Sequence, residues 1–235
     1  FDLSAIQPES AGMALLQADA AGDAVDLKIS AASLMDPGLE EFLKETGIRR
    51  LWIELHPVLL EQDPDHFLQR INELAGDFDI FPVVGSVDLA SRILDKHPGI
   101  KNIALKGNEA SGFTSTETTL TLYGAVRTMI RDRSEQPDLV IWGGIATPEA
   151  AAAFLSAGAQ GIVFESLHWL TDLVSANDDL RRRISKLRPD HTDLTGLNLE
   201  VPCRLFNKGN SKAVRELKDF AGSLCGSEIR NEQRR

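Results

Sequence analysis

Short apolar and β-branched runs recur along this chain and alternate with amphipathic stretches of helical spacing. Most of the runs are nearly continuous in apolar character, which is typical of strands covered on both faces of a parallel sheet. The predicted strands are Phe1–Ile6, Ala24–Ile29, Leu51–Leu55, Ile80–Val84, Asn102–Leu105, Leu139–Trp142, Gly161–Phe164 and, on a weaker pattern, Val201–Phe206.

Helical patterns fill the intervals between these runs. The predicted helices are Leu39–Thr46, His66–Ala75, Leu89–Lys96, Thr116–Arg131, Pro148–Gly158, Leu167–Leu187 and Lys212–Leu224. The clearest helix start is Thr147-Pro148, because a capping hydroxyl is followed by proline at the first helical position. Thr114 and Glu117 have the spacing of a capping box ahead of another helix.

About eight βα units in a chain of this size match the rhythm of a (β/α)8 TIM barrel. We therefore predict an α/β fold with a single domain, the barrel, over residues 1–225. Residues 226–235 are polar and are predicted to be a C-terminal tail or the start of a linker. A doubly wound open sheet is the main alternative, because alternation alone does not show whether a sheet closes.

Charge and composition exclude several classes. The 235 residues contain 25 Lys and Arg against 35 Asp and Glu, a formal net charge of -10, which argues against nucleic acid as a partner. No apolar run approaches the roughly 20 residues that span a bilayer, so we expect a soluble protein without a membrane partner. Two cysteines favour a reduced, cytoplasmic location. The start at Phe1 is expected of a segment from a longer polypeptide.

Ligands of such barrels bind at the carboxyl ends of the strands. Three predicted strand ends have residues that could bind a ligand or take part in catalysis. In the first, Lys106 and Glu109 offer opposite charges, while Gly107 and Gly112 let the backbone approach a ligand. A glycine-rich turn with a solvated ion pair explains the same residues.

The second end, Gly143-Gly144 ahead of the helix capped by Thr147, presents amides and a positive helix end to an anion. A tight turn beside a closely packed helix is the plainer interpretation.

The third end is that of the predicted strand Gly161–Phe164, which is followed by Glu165, Ser166 and His168. A carboxylate there repels phosphate, and His168 is either a general base or a catalytically idle residue of a first helical turn.

One carboxylate interrupts an otherwise apolar strand. Glu54 either points outward or pairs with Lys28 or Lys106 inside the barrel. The sequence has no metal-ligand spacing, no Gly-x-Ser-x-Gly and no P-loop motif, so we expect no metal site, no serine hydrolysis and no P-loop chemistry.

Three glycine motifs occur in a characteristic order, Gly107-Asn108-Glu109-Ala110-Ser111-Gly112, Gly143-Gly144-Ile145 and Gly158-Ala159-Gln160-Gly161. In order and spacing they resemble the strand-end motifs of the nitronate monooxygenase (2-nitropropane dioxygenase-like) family of FMN-binding barrels. That family includes FMN-dependent enoyl reductases of fatty-acid synthesis. The segment from Phe164 to Leu170 looks most like variants found in modular polyketide synthases.

The resemblance implies a flavoprotein oxidoreductase with FMN as cofactor, such as an enoyl reductase of polyketide or fatty-acid synthesis. It implies catalytic roles for Lys106 near the flavin and for Glu109 or His168 as proton donor. The cofactor-binding residues that it implies are Gly107, Gly112, Gly143, Gly144, Gly161 and Ser166. The implied partners are a small-molecule or carrier-bound acyl substrate and other domains of a larger polypeptide.

The sequence departs from the family pattern at four places. Phe113 stands where the family has its catalytic histidine, and Glu165-Ser166 stands where a Gly-Thr holds the flavin phosphate. Lys106 replaces a glutamine, and residues 7–10 replace a flavin contact after the first strand. Two other functions therefore stay open: a cofactor-free barrel with a binding or structural role in a synthase, and an isomerase or aldolase that uses Lys106 as an amine nucleophile.

Overall fold

The computed structural model describes residues 26–55, 64–165, 177–197, 202–207, 211–212, 214–220 and 222–223. The strands are β1 Asp26–Ser30, β2 Arg50–Glu54, β3 Asp79–Val84, β4 Asn102–Lys106, β5 Gly112–Phe113, β6 Asp138–Trp142, β7 Gly161–Val163, β8 Thr192–Thr195 and β9 Cys203–Phe206. Seven of the predicted strands therefore lie within two residues of observed ones at each end. Phe1–Ile6 lies outside the described residues.

The helices are α1 Ala31–Leu34, α2 Leu39–Glu45, α3 Pro64–Leu74, α4 Val87–Lys96, α5 Thr119–Ile130, α6 Pro148–Ser156 and α7 Asp178–Ile184, and residues 214–220 are also helical. Part of the predicted helix Leu167–Leu187 lies outside the described residues. None of the described helices combines the length and the hydropathy of a membrane-spanning segment.

Six strands form one parallel sheet in the order β1-β2-β3-β4-β6-β7. The register places Ser30 opposite Glu54 and Glu54 opposite Val83, so neighbouring strands end together. The α/β class and the barrel-like order of consecutive parallel strands are confirmed. The described residues do not show a complete eightfold barrel.

The prediction that Val201–Phe206 is a further barrel strand is wrong. Cys203–Phe206 pairs antiparallel with both β5 and β8 in a separate sheet of order β5-β9-β8. Its four side chains are half-buried or exposed, as an antiparallel sheet with one open face allows. The apolar letters of this run indicated a strand but could not indicate its partners.

The described residues divide into two compact units. The first contains the described residues up to Leu105 together with Gly124–Val140, and the second contains Lys106–Tyr123 and the described residues from Ile141 onward. The chain passes from one unit to the other within β4, α5 and β6.

Alternating side chains on β1 and β2 give the first unit two different sheet faces. Leu27, Ile29, Leu51 and Ile53 are fully buried on one face. On the other face, Lys28 Nζ lies 2.9 Å from Glu54 Oε2, and both side chains are 17% exposed. Glu54 thus takes one of the two partners considered for it, because a carboxylate on a largely covered face needs a compensating cation.

Candidate functional site

Lys106 is a buried cation at the carboxyl end of β4. Its residue is only 4% exposed, and its Nζ lies 4.9 Å from the centroid of the Trp142 ring, at the carboxyl end of β6. An ammonium over an indole face is attracted by the ring quadrupole, so Trp142 helps to hold the charge in place. The structure therefore puts a positive charge at the strand ends, where the sequence predicted a ligand site.

Gly107 is a glycine because α5 begins against it. A Cβ atom at this position would lie 2.0 Å from Thr119 Oγ1 and 2.4 Å from the Thr119 backbone N and Cα atoms. The Gly107 N–H donates to the Trp142 carbonyl at 3.0 Å. Close packing thus explains this glycine without a bound ligand.

Glu109 caps α5 from the β4 loop, which we define as residues 107–118. Its Oε2 accepts hydrogen bonds from the Thr119 N–H at 2.8 Å and from the Thr119 hydroxyl at 2.7 Å. A carboxylate is favourable there because the first helical amides have no partner within the helix. Thr118 adds a second cap by accepting from the Thr121 N–H at 3.2 Å.

The predicted capping pair of Thr114 and Glu117 is wrong as a helix start. The Thr114 hydroxyl donates to the Gly107 carbonyl, and the Glu117 carbonyl accepts from the Asn108 N–H at 2.8 Å. Both residues close the β4 loop on itself, and the helix begins only at Thr119. A carboxylate ten residues earlier supplies the cap, which a local spacing rule cannot detect.

The β6 turn, residues 143–147, packs directly on the β4 loop. Gly143 and Gly144 have positive φ values of 118° and 71°. A Cβ at Gly143 would lie 2.9 Å from Thr119 Oγ1 and 3.0 Å from the Ala110 nitrogen, whereas one at Gly144 would lie 3.5 Å from the Glu109 side chain. The plainer interpretation of this glycine pair, a tight turn beside close packing, is what the contacts show.

The start of α6 is capped by its own residues. Thr147 Oγ1 accepts from the Ala150 N–H at 3.2 Å. The Glu149 carboxylate accepts hydrogen bonds from its own backbone N–H and from the Thr147 hydroxyl, which lower the pKa of Glu149 below its ordinary value. The first-turn donors that the sequence offered to an anion are thus partly taken by side chains of this helix.

Glu165 connects the end of β7 to the β4 loop. Its Oε2 accepts a hydrogen bond from the Ser111 N–H at 2.8 Å. The Glu165 carboxylate therefore binds a backbone amide that an external anion would otherwise find free.

The second sheet is attached to the β4 loop through Arg204. The Arg204 guanidinium donates to the Asn108 carbonyl at 2.5 Å and to Thr192 Oγ1 at 2.9 Å. Gly112 of β5, with a φ of 68°, is the register partner of Arg204 in β9. The adjacent Phe113 is 52% exposed. Gly112 thus has a backbone reason for being glycine, while Phe113 presents an apolar ring and no titratable group.

A cavity of about 270 Å³ opens between the start of α5, the β6 turn and one face of α6. Its walls come largely from Leu120, Ala153, Phe154 and Ala157, with Glu109 and Thr119 as the polar lining groups. A lining of this kind suits an apolar group better than an anion.

The structure brings only part of the predicted site together. Gly107, Glu109, Gly143 and Gly144 form one packed cluster around Thr119. Gly161 opens β7, at the opposite end of that strand from Glu165. Ser166 and His168 lie outside the described residues.

A flavin phosphate does not fit where the sequence placed it. The Glu109 side chain lies against Gly144, Glu165 occupies the Ser111 amide, and Glu149 and Thr147 occupy the first turn of α6. A phosphate dianion at the β6 turn would meet the Glu109 carboxylate that lies against Gly144. Among the described residues, Lys106 is the feature of this region that suits an anionic group.

Sequence reasoning missed two residues that organise the cluster. Thr119 supplies the close contacts of both glycine segments, and Ser111 supplies the amide that Glu165 binds. Thr119 donates to Glu109 and is not itself the cap, so the preference for a hydroxyl residue at a helix start indicates Thr118 instead. The acceptor of the Ser111 amide lies 54 residues away, so no local pattern could reveal it.

No protein-family model matches the sequence, and no curated protein matches it. Solved structures match its fold. A single-residue mutant of FabK from Thermotoga maritima superposes with a TM-score of 0.70 at 20% identity, covering 92% of this chain and 66% of that one. Another FabK structure from the same organism gives 0.70 at 19% identity, covering 98% of this chain and 70% of that one.

The enoyl reductase domain of MlnA, from the macrolactin biosynthesis cluster of Bacillus amyloliquefaciens, gives a TM-score of 0.63 at 13% identity. The match covers 93% of this chain and 59% of that domain. The chain thus spans less than two thirds of the length of this domain and of the mutant FabK. The resemblance stated from the glycine motifs is confirmed at the level of the fold.

Proposed function

We propose that this chain forms the barrel part of a flavin-dependent oxidoreductase domain of the enoyl reductase kind. Its substrate would be an acyl chain, free or attached to a carrier, in polyketide or fatty-acid synthesis, and its location the cytoplasm. The fold shared with the MlnA enoyl reductase domain supports this family of functions. The observation that carries the proposal is the buried Lys106 at the carboxyl ends of β4 and β6.

Lys106 suits this chemistry for an electrostatic reason. Reducing a carbon–carbon double bond conjugated to a thioester adds a hydride to one carbon and a proton to the other, while the hydride donor is oxidised. Negative charge develops on the thioester oxygen before the proton arrives, and a buried ammonium stabilises such charge more strongly than an exposed one. Glu109 is held as a helix cap, so we propose His168 as the first proton donor to test.

A flavin titration followed by a reductase assay tests this proposal. We expect bound flavin to give a visible spectrum that shifts on binding, and NADH or NADPH to be oxidised when a 2-enoyl thioester is added. Lys106→Met should lower kcat at least about tenfold, because it removes roughly 1.4 kcal/mol or more of charge stabilisation. Arg127→Met, which removes an exposed cation in the last turn of α5, is the matched control.

A cofactor-free binding or structural module is the second candidate. It is favoured by the internal hydrogen bonds that occupy the amides of Ser111, Thr119 and Ala150. No spectral shift with saturating FMN or riboflavin, together with no oxidation of either nicotinamide, would contradict the reductase and favour this module.

A further inference from the structure

Glu165 contacts the β4 loop beside the β6 turn, where the resemblance implied a phosphate site. In the parallel sheet, β6 lies between β4 and β7. Ala110, the residue before Ser111, packs against Gly143 of the β6 turn, so the carboxylate that accepts from the Ser111 N–H at 2.8 Å lies near that turn. A negative charge is thereby fixed at the edge that a phosphate would approach.

Two further carboxylates border the same turn. Glu109 lies against Gly144 and is itself held by both donors of Thr119, so it cannot swing away without uncapping α5. Glu149 stands in the first turn of α6, two residues after the β6 turn. Glu109 and Glu165 are anchored by hydrogen bonds in the second unit, and each takes a donor that could otherwise bind an anion.

We propose that Glu165 is a specificity-determining residue that excludes a terminal phosphate from this site. The ligand class that the site accepts is then a planar ring system whose side chain ends without phosphate, so that riboflavin binds in preference to FMN. This inference rests on the proposed flavin chemistry. It goes beyond that proposal because it reverses the phosphate recognition that the glycine motifs led us to expect.

The decisive experiment compares the affinities of riboflavin and FMN for the purified chain, measured by quenching of flavin fluorescence. The variants are Glu165→Gln, which keeps an oxygen acceptor for the Ser111 N–H but removes the charge, and Glu165→Gly, which also frees the amide. Glu135→Gln removes one exposed carboxylate outside the second unit and controls for the change in net charge.

We expect the unmodified chain to bind riboflavin at least about tenfold more tightly than FMN. Glu165→Gln should shift the ratio of the two dissociation constants toward FMN by about tenfold, because it removes a like charge within a few ångströms of the phosphate. Glu165→Gly should shift the ratio further, and Glu135→Gln should leave it unchanged.

Two results would overturn the inference in distinguishable ways. Tighter binding of FMN than riboflavin by the unmodified chain, or an unchanged ratio in both Glu165 variants, would refute the role of Glu165 while leaving the flavin proposal standing. Binding of neither flavin to any variant would refute both, since the proposed cofactor class would then be wrong.

Discussion

Thr119 is the residue against which both glycine segments pack. Its backbone and hydroxyl lie where side chains of Gly107 and Gly143 would be, and its two donors bind Glu109. The family-like glycine motifs can therefore persist for packing reasons alone. A motif match at these positions is evidence for the fold, and the ligand must be inferred from the neighbouring charges.

Two glycines that flank Thr119 in sequence should respond oppositely to alanine. Gly107→Ala would force a Cβ to within 2.0–2.4 Å of Thr119 atoms, so we expect a loss of about 3 kcal/mol in the free energy of unfolding. Gly124→Ala, inside α5 with nothing within 4 Å of its Cβ, should instead gain about 0.5–1 kcal/mol. Urea unfolding of both variants checks this, and equal effects would contradict the packing explanation.

At the scale of elements, an ion pair joins β1 and β2 on a largely covered sheet face. Lys28 Nζ and Glu54 Oε2 lie 2.9 Å apart. Lys28 is also the register partner of Trp52, whose ring stacks on that of Phe81 with 4.6 Å between the ring centroids. Because these side chains are mostly covered, water screens their interaction less than it screens a surface pair. The pair should thus contribute to the alignment of the two strands.

A double-mutant cycle measures that contribution. Lys28→Met and Glu54→Leu should each lower the free energy of unfolding by about 2 kcal/mol, a value between those of exposed and buried pairs. The double variant should lose about 1–2 kcal/mol less than the sum of the two single losses. The exposed pair of Arg92 and Asp88 on α4, also 2.9 Å apart, provides the control with an expected coupling below about 0.5 kcal/mol. Equal coupling in the two cycles would show that coverage of the sheet face has no effect.

Helix starts differ in whether the capping residue is close in sequence or lies in a preceding loop. Thr147 caps α6 through a local Thr-Pro pattern that the sequence revealed, and Ser86 caps α4 in the same way by accepting from the Leu89 N–H. The start of α5 depends on Glu109 in a preceding loop, so the pattern of Thr114 and Glu117 misplaced it. Local capping rules succeed where the acceptor lies within one turn of the helix.

At the scale of the whole molecule, His97 links stability to pH. It follows α4, and burial is the main cause that lowers its pKa below the ordinary value of about 6.5. The unfolded chain therefore takes up a proton near pH 6.5 while the folded chain does so only at lower pH. The contribution of His97 to stability is therefore greatest above pH 6.5 and falls as the pH drops below it.

Chemical denaturation at pH 7.5 and pH 5.5 tests this linkage. The unmodified chain should be less stable at pH 5.5, and His97→Gln, which cannot take up a proton, should show a smaller loss over the same interval. The carboxylates whose pKa values are lowered by ion pairs, such as Asp95 beside Arg133, lose their contribution only near pH 4 and below. An unchanged loss in the variant would assign the pH dependence to other groups.

The amino-acid sequence by itself determined the six strands of the parallel sheet, most described helices and the class of the fold, but it did not indicate the short strands β5 and β8. Each of those depends on the hydrophobic period within a short window, and the buried face of a strand such as Leu27–Ile29 can be read directly from neighbouring letters. The sequence also indicated the residues at the strand ends, including Lys106. Its glycine order identified a resemblance that the structural comparison supports for the fold.

Only the tertiary structure decided what those strand-end residues contact. Glu165 reaches an amide 54 positions earlier, Glu109 caps a helix that begins ten residues later, and Cys203–Phe206 pairs in a second sheet. Hydrogen-bond partners and sheet neighbours depend on which distant segments the chain brings within about 3 Å, and no local pattern encodes that distance. For this reason the sequence predicted an anion site where the folded chain supplies its own anions.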